Sequence, residues 1–277
     1  MSKKKPKMTK PAKLCWFLET SVFINRFFGH SLYKKEIDKT VRSIPCHTSF
    51  FVFYEFKRSV IKTLIELYFL VEEEGAADAI ASYKENFKTR ENGIVLGAIS
   101  RLLVEEDISN NKLKALSNLE ALILNSLRDF KSIVKEFVEN KTKCPLARAS
   151  IIKGSEDFAD FVEQIKCNVT CSIAQFWKDQ KGVLRLLTSE NIKEKHKDNK
   201  GFAEMLPLLY EVLQDPNRGQ MIRNCAKLGD AIIAIEMPSK CVMLTFDKSF
   251  ESLCPLMGKG FFRLPSLSEL KKRSAQL

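Results

Sequence analysis

The feature that most constrains the fold is the stretch of residues 229–250, in which a short apolar helix and a buried strand each lie next to an acidic residue. Asp230 precedes the apolar residues 231–235, and Asp247 follows the apolar run 241–245. Such a run, bounded by turn signals, predicts a buried parallel strand. Open α/β sheets bind their ligands beyond the carboxyl ends of the strands. The stretch therefore predicts an acidic site at that edge, with helix capping by each acid as the alternative.

The N-terminal region repeats this pattern and favours a site over separate caps. A second apolar run, at the start of the chain, ends at Glu19, and Thr20 or Ser21 can open the helix that follows. Ser49 can cap another helix, in which Glu55 lies among aromatic and apolar residues. A carboxylate in such surroundings is costly unless it is paired or binds a ligand. Glu55 is therefore a candidate for the same site.

These four segments, in this order, resemble the PIN-domain ribonucleases, a family that includes the toxin nucleases of bacterial toxin–antitoxin pairs. The family pattern has an acid followed by Thr or Ser after the first strand, then Ser and Glu on the second helix. Later come an Asp that opens a helix and a Thr-x-Asp-x-x-Phe motif after the next strand. The matching residues here are Glu19, Thr20, Ser21, Ser49, Glu55, Asp230, Thr245, Asp247 and Phe250. The resemblance covers the two ends of the chain and leaves the middle unmatched.

The resemblance implies a three-layer α/β/α fold with a central, mainly parallel sheet, expanded by a large all-helical insertion. Residues 13–62 and 201–277 would form the PIN-like nuclease core, and residues 63–200 would form the insertion. Residues 1–12 are basic and are expected to be a disordered tail. Apolar periodicity predicts helices through most of the insertion, whereas the charged segment 190–200 lacks this periodicity and is predicted to be a loop.

By the same resemblance, the protein is expected to be a metal-dependent endoribonuclease that hydrolyses RNA phosphodiester bonds. The catalytic, metal-binding residues would be Glu19, Glu55, Asp230 and Asp247. The residues expected to orient these carboxylates or a water molecule are Thr20, Ser21 and Thr245. Carboxylate oxygens without His or Cys suit hard divalent ions, so the expected cofactor is Mg²⁺ or Mn²⁺.

Two residues depart from the family pattern. Glu19 stands where the family nearly always has Asp, and Ser249 stands where a further acid is often found. The extra methylene of Glu19 moves its carboxylate, whereas Mg²⁺ requires near-ideal octahedral geometry. The alternative function is therefore a catalytically weak or inactive PIN-fold module that binds RNA or a protein partner. A third hypothesis is a helical interaction protein in which the acidic pattern is fortuitous.

Composition bears on partners and location. The net charge of +11 suits an anionic partner, here RNA. An antitoxin or other protein could bind through the insertion, and a homodimer is a further option. The sequence lacks the apolar run of about 20 residues that a membrane-spanning helix needs, so no membrane partner is expected. Eight Cys without a Cys-x-x-Cys pair, and only three His, argue against a structural zinc site and favour reduced thiols in a cytoplasmic protein.

Overall fold

The computed structural model describes residues 14–86, 93, 111–144, 146, 152–167 and 172–276. The basic tail predicted for residues 1–12 lies outside this part of the chain. Among the described helices, none combines the length and the apolar composition that crossing a membrane requires.

A five-stranded, all-parallel sheet lies at the centre of the molecule, which confirms the predicted α/β fold. Its strands are β1 (Cys15–Leu18), β2 (Cys46–Ser49), β3 (Glu136–Val138), β4 (Cys241–Thr245) and β5 (Gly260–Arg263). They lie in the order β3-β2-β1-β4-β5. Because all five strands are parallel, their carboxyl ends share one edge of the sheet, called the carboxyl edge below, and their amino ends share the opposite, amino edge.

Helices surround the sheet and account for most of the described residues. Those before the middle of the chain are α1 (Thr20–Phe28), α2 (Ser31–Val41), α3 (Phe50–Phe56), α4 (Lys62–Glu74) and α5 (Ala76–Asn86), with a π-helical turn at Lys57–Ile61. The middle contributes α6 (Lys112–Ile133), α7 (Phe158–Gln164), α8 (Ile173–Asp179), α9 (Lys181–Leu187), α10 (Glu190–Lys195) and α11 (Lys200–Gln214). The last are α12 (Ile222–Lys227), α13 (Gly229–Glu236), α14 (Ser249–Leu256) and α15 (Leu267–Ser274). Short 3₁₀ helices span Ser155–Asp157 and Pro216–Gln220.

At the carboxyl edge, side-chain caps begin two of the helices that follow the strands. The Glu19 carboxylate accepts a hydrogen bond from Ser21 N and begins α1. Ser49 Oγ accepts one from Val52 N at 3.2 Å and begins α3. Each cap satisfies an amide that the first helical turn leaves without a partner. The helix that starts at α3 continues through the π-helical turn into α4 and stops at Gly75, whose φ of 89° suits glycine.

An aromatic cluster joins the middle of the chain to the sheet. Phe130, on α6, is fully buried, and its ring stacks on Phe23 of α1 with centroids 3.8 Å apart. The rings of Phe53 and Phe56, on α3, lie 4.8 and 5.0 Å from the Phe130 ring. Each such pair contributes roughly 0.5–1.5 kcal/mol beyond its buried area. Helix α6 therefore shares one hydrophobic core with the helices that follow β1 and β2.

The prediction that residues 63–200 are all helical is wrong in one respect. Residues 136–138 form β3 and pair in parallel with β2 at the edge of the sheet. Helix α6 ends at Ile133, but its apolar spacing runs on through Val134 and Phe137 and so imitates a longer helix. A strand of three residues is too short to show a period of its own. The division of the chain into core and insertion stays a prediction.

Two local predictions are also wrong. The segment 190–200 was expected to be a loop, but Glu190–Lys195 forms α10, whose six residues are too few to show an apolar stripe. The expectation of reduced thiols fails for Cys15 and Cys241, which form a disulfide. These two residues are register partners at the starts of β1 and β4. Their sequence separation of 226 gives no local signal of the pairing.

Candidate active site at the carboxyl edge

Four acidic residues from distant parts of the chain line one cavity of about 460 Å³ at the carboxyl edge. Glu19 follows β1, Glu55 lies in α3, Asp230 lies in the first turn of α13, and Asp247 follows β4. The cavity and these four acids are called the acidic pocket below. All four predicted ligand residues are thus brought together beside a parallel sheet, and the sheet contradicts the helical fold of the third hypothesis.

The four carboxylates lie at graded depths in the acidic pocket. Glu19 is 3% exposed and forms its floor. Glu55 and Asp230 are half-buried, and Asp247 is exposed at the rim. The gradient follows from the fold, because Glu19 directly follows the central strand β1, whereas Asp247 lies two residues beyond the end of β4.

Glu19 both caps α1 and lines the acidic pocket. Its Oε2 accepts a hydrogen bond from Ser21 N at 2.6 Å, and its Oε1 accepts one from Ser21 Oγ. Burial raises the pKa of Glu19 to about 7, and the charge of Asp247 adds to the rise, although the hydrogen bonds from Ser21 oppose it. A buried acid with this pKa is half-protonated near neutral pH and gives up its proton readily when a cation approaches.

Ser249 links the two aspartates. Its Oγ donates a hydrogen bond to Asp230 Oδ2 and lies 3.0 Å from Asp247 Oδ1, which also accepts from Ser249 N at 2.9 Å. Burial, followed by the charge of Asp247, raises the pKa of Asp230 well above its usual range. The charges of Glu55 and Glu19 raise it further, and the Ser249 hydroxyl lowers it. Ser249 therefore bridges the two aspartates of the pocket.

Two neighbouring residues, Thr20 and Gly229, determine where the Glu55 carboxylate lies. Thr20 Oγ1 donates a hydrogen bond to Glu55 Oε2 at 2.7 Å. Gly229 provides the space for the other oxygen, because a Cβ at that position would lie 2.2 Å from Glu55 Oε1. This role of Gly229 was not predicted from the sequence. Its only signal was a glycine directly before Asp230, at a helix start where a larger residue is equally compatible with the pattern.

The three residues predicted to orient the acids all contact the acidic pocket. Thr20 and Ser21 bind Glu55 and Glu19 as described above. Thr245 is fully buried, and its Oγ1 accepts a hydrogen bond from Asp247 N at 2.8 Å. The Thr245 hydroxyl also favours the charged form of Glu19. Thr245 therefore fixes the turn that carries Asp247 while it touches the floor of the pocket.

Basic side chains lie on the wall formed by α3, the π-helical turn and α4. Arg58 and Lys62 line the cavity beside Glu55, together with Glu66. Lys62 forms an ion pair with Glu66, whereas the Arg58 guanidinium lies 5.8 Å from the centre of the Tyr54 ring. The helical wall thus adds positive charge next to the four carboxylates.

The acidic pocket has the donor set that Mg²⁺ or Mn²⁺ requires. Its ligand atoms are carboxylate and hydroxyl oxygens, with no sulfur or imidazole among the lining residues. Burial is the main cause of the raised pKa of Glu19 and of Asp230, and the charges of neighbouring carboxylates add to it. No three of the pocket carboxylates have oxygens that all lie within 4.8 Å of one another in the described structure. Binding of an ion therefore requires the side chains to close in around it.

Comparisons with protein-family models, with curated proteins and with solved structures find no match to this chain. The resemblance to the PIN-domain ribonucleases therefore stays an inference from the motifs.

Proposed function

We propose that this protein is a Mg²⁺- or Mn²⁺-dependent endoribonuclease of PIN type and that the acidic pocket is its active site. The observation that carries the proposal is the convergence of four carboxylates, from four separate elements, on one cavity. Like charges held this close destabilise one another unless a cation joins them. A fold that keeps such a cluster at a ligand-binding edge supports a site for metal-assisted chemistry.

The ion would be held by Glu19, Glu55, Asp230 and Asp247. When bound, Mg²⁺ or Mn²⁺ supplies charge neutralisation for the phosphodiester and activation of water for attack on it. The floor position of Glu19 and the rim position of Asp247 leave the cavity open between them for substrate.

The surrounding residues would fix the carboxylates and receive the phosphate. Hydrogen bonds from Thr20, Ser21 and Ser249 restrict the acids before substrate arrives, which lowers the cost of ordering them. Arg58 provides positive charge on the wall of the cavity, where a phosphate oxygen can bind it. The net charge of +11 attracts RNA from a distance, and this attraction weakens as salt is added.

Cleavage assays on variants of the pocket test the proposal. The full-length protein is incubated with single-stranded and structured RNA in the presence of Mn²⁺ or Mg²⁺. Asp230→Asn and Asp247→Asn should each reduce cleavage by about 100-fold or more, since even residues that only orient metal ligands reach that scale. Asp179→Asn, at an exposed acid outside the pocket, is the matched control and should cleave as the wild type does. Equal cleavage by Asp230→Asn and wild type would show that the activity belongs to a contaminant.

A second candidate is a PIN-fold module that binds RNA or a protein partner without cleaving RNA. The observation that favours it is the double use of Glu19, whose two oxygens are both bound by Ser21. A Glu19→Asp variant discriminates between the two candidates. If the site is active but poorly tuned, the variant cleaves RNA faster than the wild type; if both proteins bind RNA and neither cleaves it with Mn²⁺, the binding module is the better account.

A further inference from the structure

Three potential metal ligands meet at the amino edge of the sheet, opposite the acidic pocket. Cys15 is the first residue of β1, Cys241 is the first residue of β4, and His47 lies on β2. Cys15 and Cys241 are register partners, while His47 pairs with Phe17, two residues after Cys15. Since side chains alternate along a strand, all three point to the same face. Their ligand atoms all lie within 4.8 Å of one another.

These three residues, called the thiol–imidazole cluster below, are enclosed by the protein. Cys15 and Cys241 are 2% and 1% exposed, and His47 is 6% exposed. His47 Nδ1 is buried and makes no hydrogen bond within the described structure. Its nearest charged neighbour is Glu136, the first residue of β3, whose Oε2 lies 3.4 Å away. A buried imidazole beside two sulfurs, with an unsatisfied nitrogen, is unfavourable unless a ligand uses it.

We propose that Cys15, His47 and Cys241 bind Zn²⁺ in the reduced protein, with two thiolates and one imidazole nitrogen as ligands. Two sulfurs and a nitrogen suit Zn²⁺ and differ sharply from the oxygen donors of the acidic pocket. Zinc sites are usually four-coordinate. With His47 Nδ1 as a ligand, Glu136 can complete the site as the fourth ligand, because its Oε2 lies 3.4 Å from that nitrogen.

The disulfide and the zinc site are alternative states of the same sulfurs. Two equivalents of a monothiol reduce the disulfide, giving two protein thiols and one disulfide of the reductant. Zn²⁺ then forms two bonds to sulfur, and the two thiols release two protons. Either state ties β1 to β4, but only the zinc state also holds β2 through His47. The three ligands come from three strands, so no Cys-x-x-Cys spacing marks the site in the sequence.

Metal titration of the full-length protein tests this inference. The protein is reduced with a phosphine, separated from the reductant without air, and titrated with Co²⁺, whose thiolate complexes absorb in the near ultraviolet. The reduced wild type should bind one Co²⁺ per chain with this absorption, and Zn²⁺ should displace it. The disulfide form should show no thiolate absorption.

Three variants make the test specific. Cys241→Ser should abolish the thiolate absorption, whereas Cys254→Ser, at a buried free cysteine outside the cluster, should leave it unchanged. His47→Gln keeps both cysteines, so its fold can be checked in the oxidised state, and it should weaken Zn²⁺ binding about tenfold or more. Reduced wild type without the absorption would overturn the proposal. So would His47→Gln that binds Zn²⁺ as tightly as wild type, or equal losses in Cys254→Ser and Cys241→Ser.

Discussion

Two buried glutamates with the same raised pKa offer a matched pair of variants. Glu19 lies in the acidic pocket, whereas Glu236, at the end of α13, is 1% exposed and does not line it. Burial raises the pKa of each from 4.5 to about 7. The Ser49 hydroxyl and the charge of Lys141 oppose the rise at Glu236, but neither of its oxygens makes a hydrogen bond of normal geometry within the described structure.

The size and sign of the effect follow from these pKa values. A folded-state pKa above the unfolded one means that the folded protein binds the extra proton. The contribution of such a glutamate to stability is therefore fully present below about pH 4.5 and is lost as the pH rises through about 7. Each pKa unit corresponds to about 1.4 kcal/mol. Each glutamate therefore lowers the free energy of unfolding by about 3 kcal/mol between about pH 4.5 and about pH 8.

Glu19→Gln and Glu236→Gln should each remove this loss. Urea unfolding of the metal-free protein across that pH range measures it, and each variant should lose about 3 kcal/mol less stability than the wild type. Comparing the change with pH cancels any constant cost of placing a Gln amide at either position. The response to Mn²⁺ distinguishes the two variants. Mn²⁺ should raise the Tm of the wild type and of Glu236→Gln, and should raise the Tm of Glu19→Gln much less.

If both variants keep the wild-type dependence of stability on pH, the two glutamates do not have raised pKa values in the folded protein. Equal Mn²⁺ stabilisation of all three proteins would leave the burial argument intact. It would show that Glu19 is not a ligand of the proposed metal site.

Two further predictions concern the space for Glu55 and the aromatic core. Gly229→Ala should push the Glu55 carboxylate aside and so reduce both the stabilisation by Mn²⁺ and the cleavage of RNA. Gly182→Ala, where a Cβ meets nothing within 4 Å, is the control and should change neither. Calorimetry with Mn²⁺ measures the difference, and equal ion affinity in both variants would show that Gly229 does not set the position of Glu55. Phe130→Ala should lower the free energy of unfolding by about 3–5 kcal/mol. Leu113→Ala, at an 80% exposed position of the same helix, should change it by less than about 0.5 kcal/mol. Urea unfolding tests both variants, and a small effect of Phe130→Ala would refute the place of Phe130 in the core.

The sheet and the acidic pocket were predictable because their signals are local. An apolar run followed by an acid marks Glu19 and Asp247, and a cap followed by a lone acid marks Glu55. The parallel topology then places the ends of the strands at one edge, so the convergence follows from the fold class alone. Ser249 was recognised only as a departure, because its hydrogen bonds to two aspartates depend on the shape of the turn.

The features that were missed depend on contacts between distant segments. The pairing of Cys15 with Cys241 needs the register of β1 on β4, which no pattern of either strand specifies. Strand β3 is three residues long and continues the apolar spacing of α6, so its identity is decided by the open edge of β2. Gly229 is distinguished only by the side chain of Glu55 across the pocket.

The position of Phe130 limits how this chain can be shortened. A shortened protein made by excising residues 63–200 would lose Phe130 and also β3. The rings of Phe23, Phe53 and Phe56 would then face water, and the edge of β2 would be left without a neighbouring strand. Exposed rings beside an open strand edge promote aggregation. The truncated protein should therefore precipitate on expression, even though it would retain all four pocket acids.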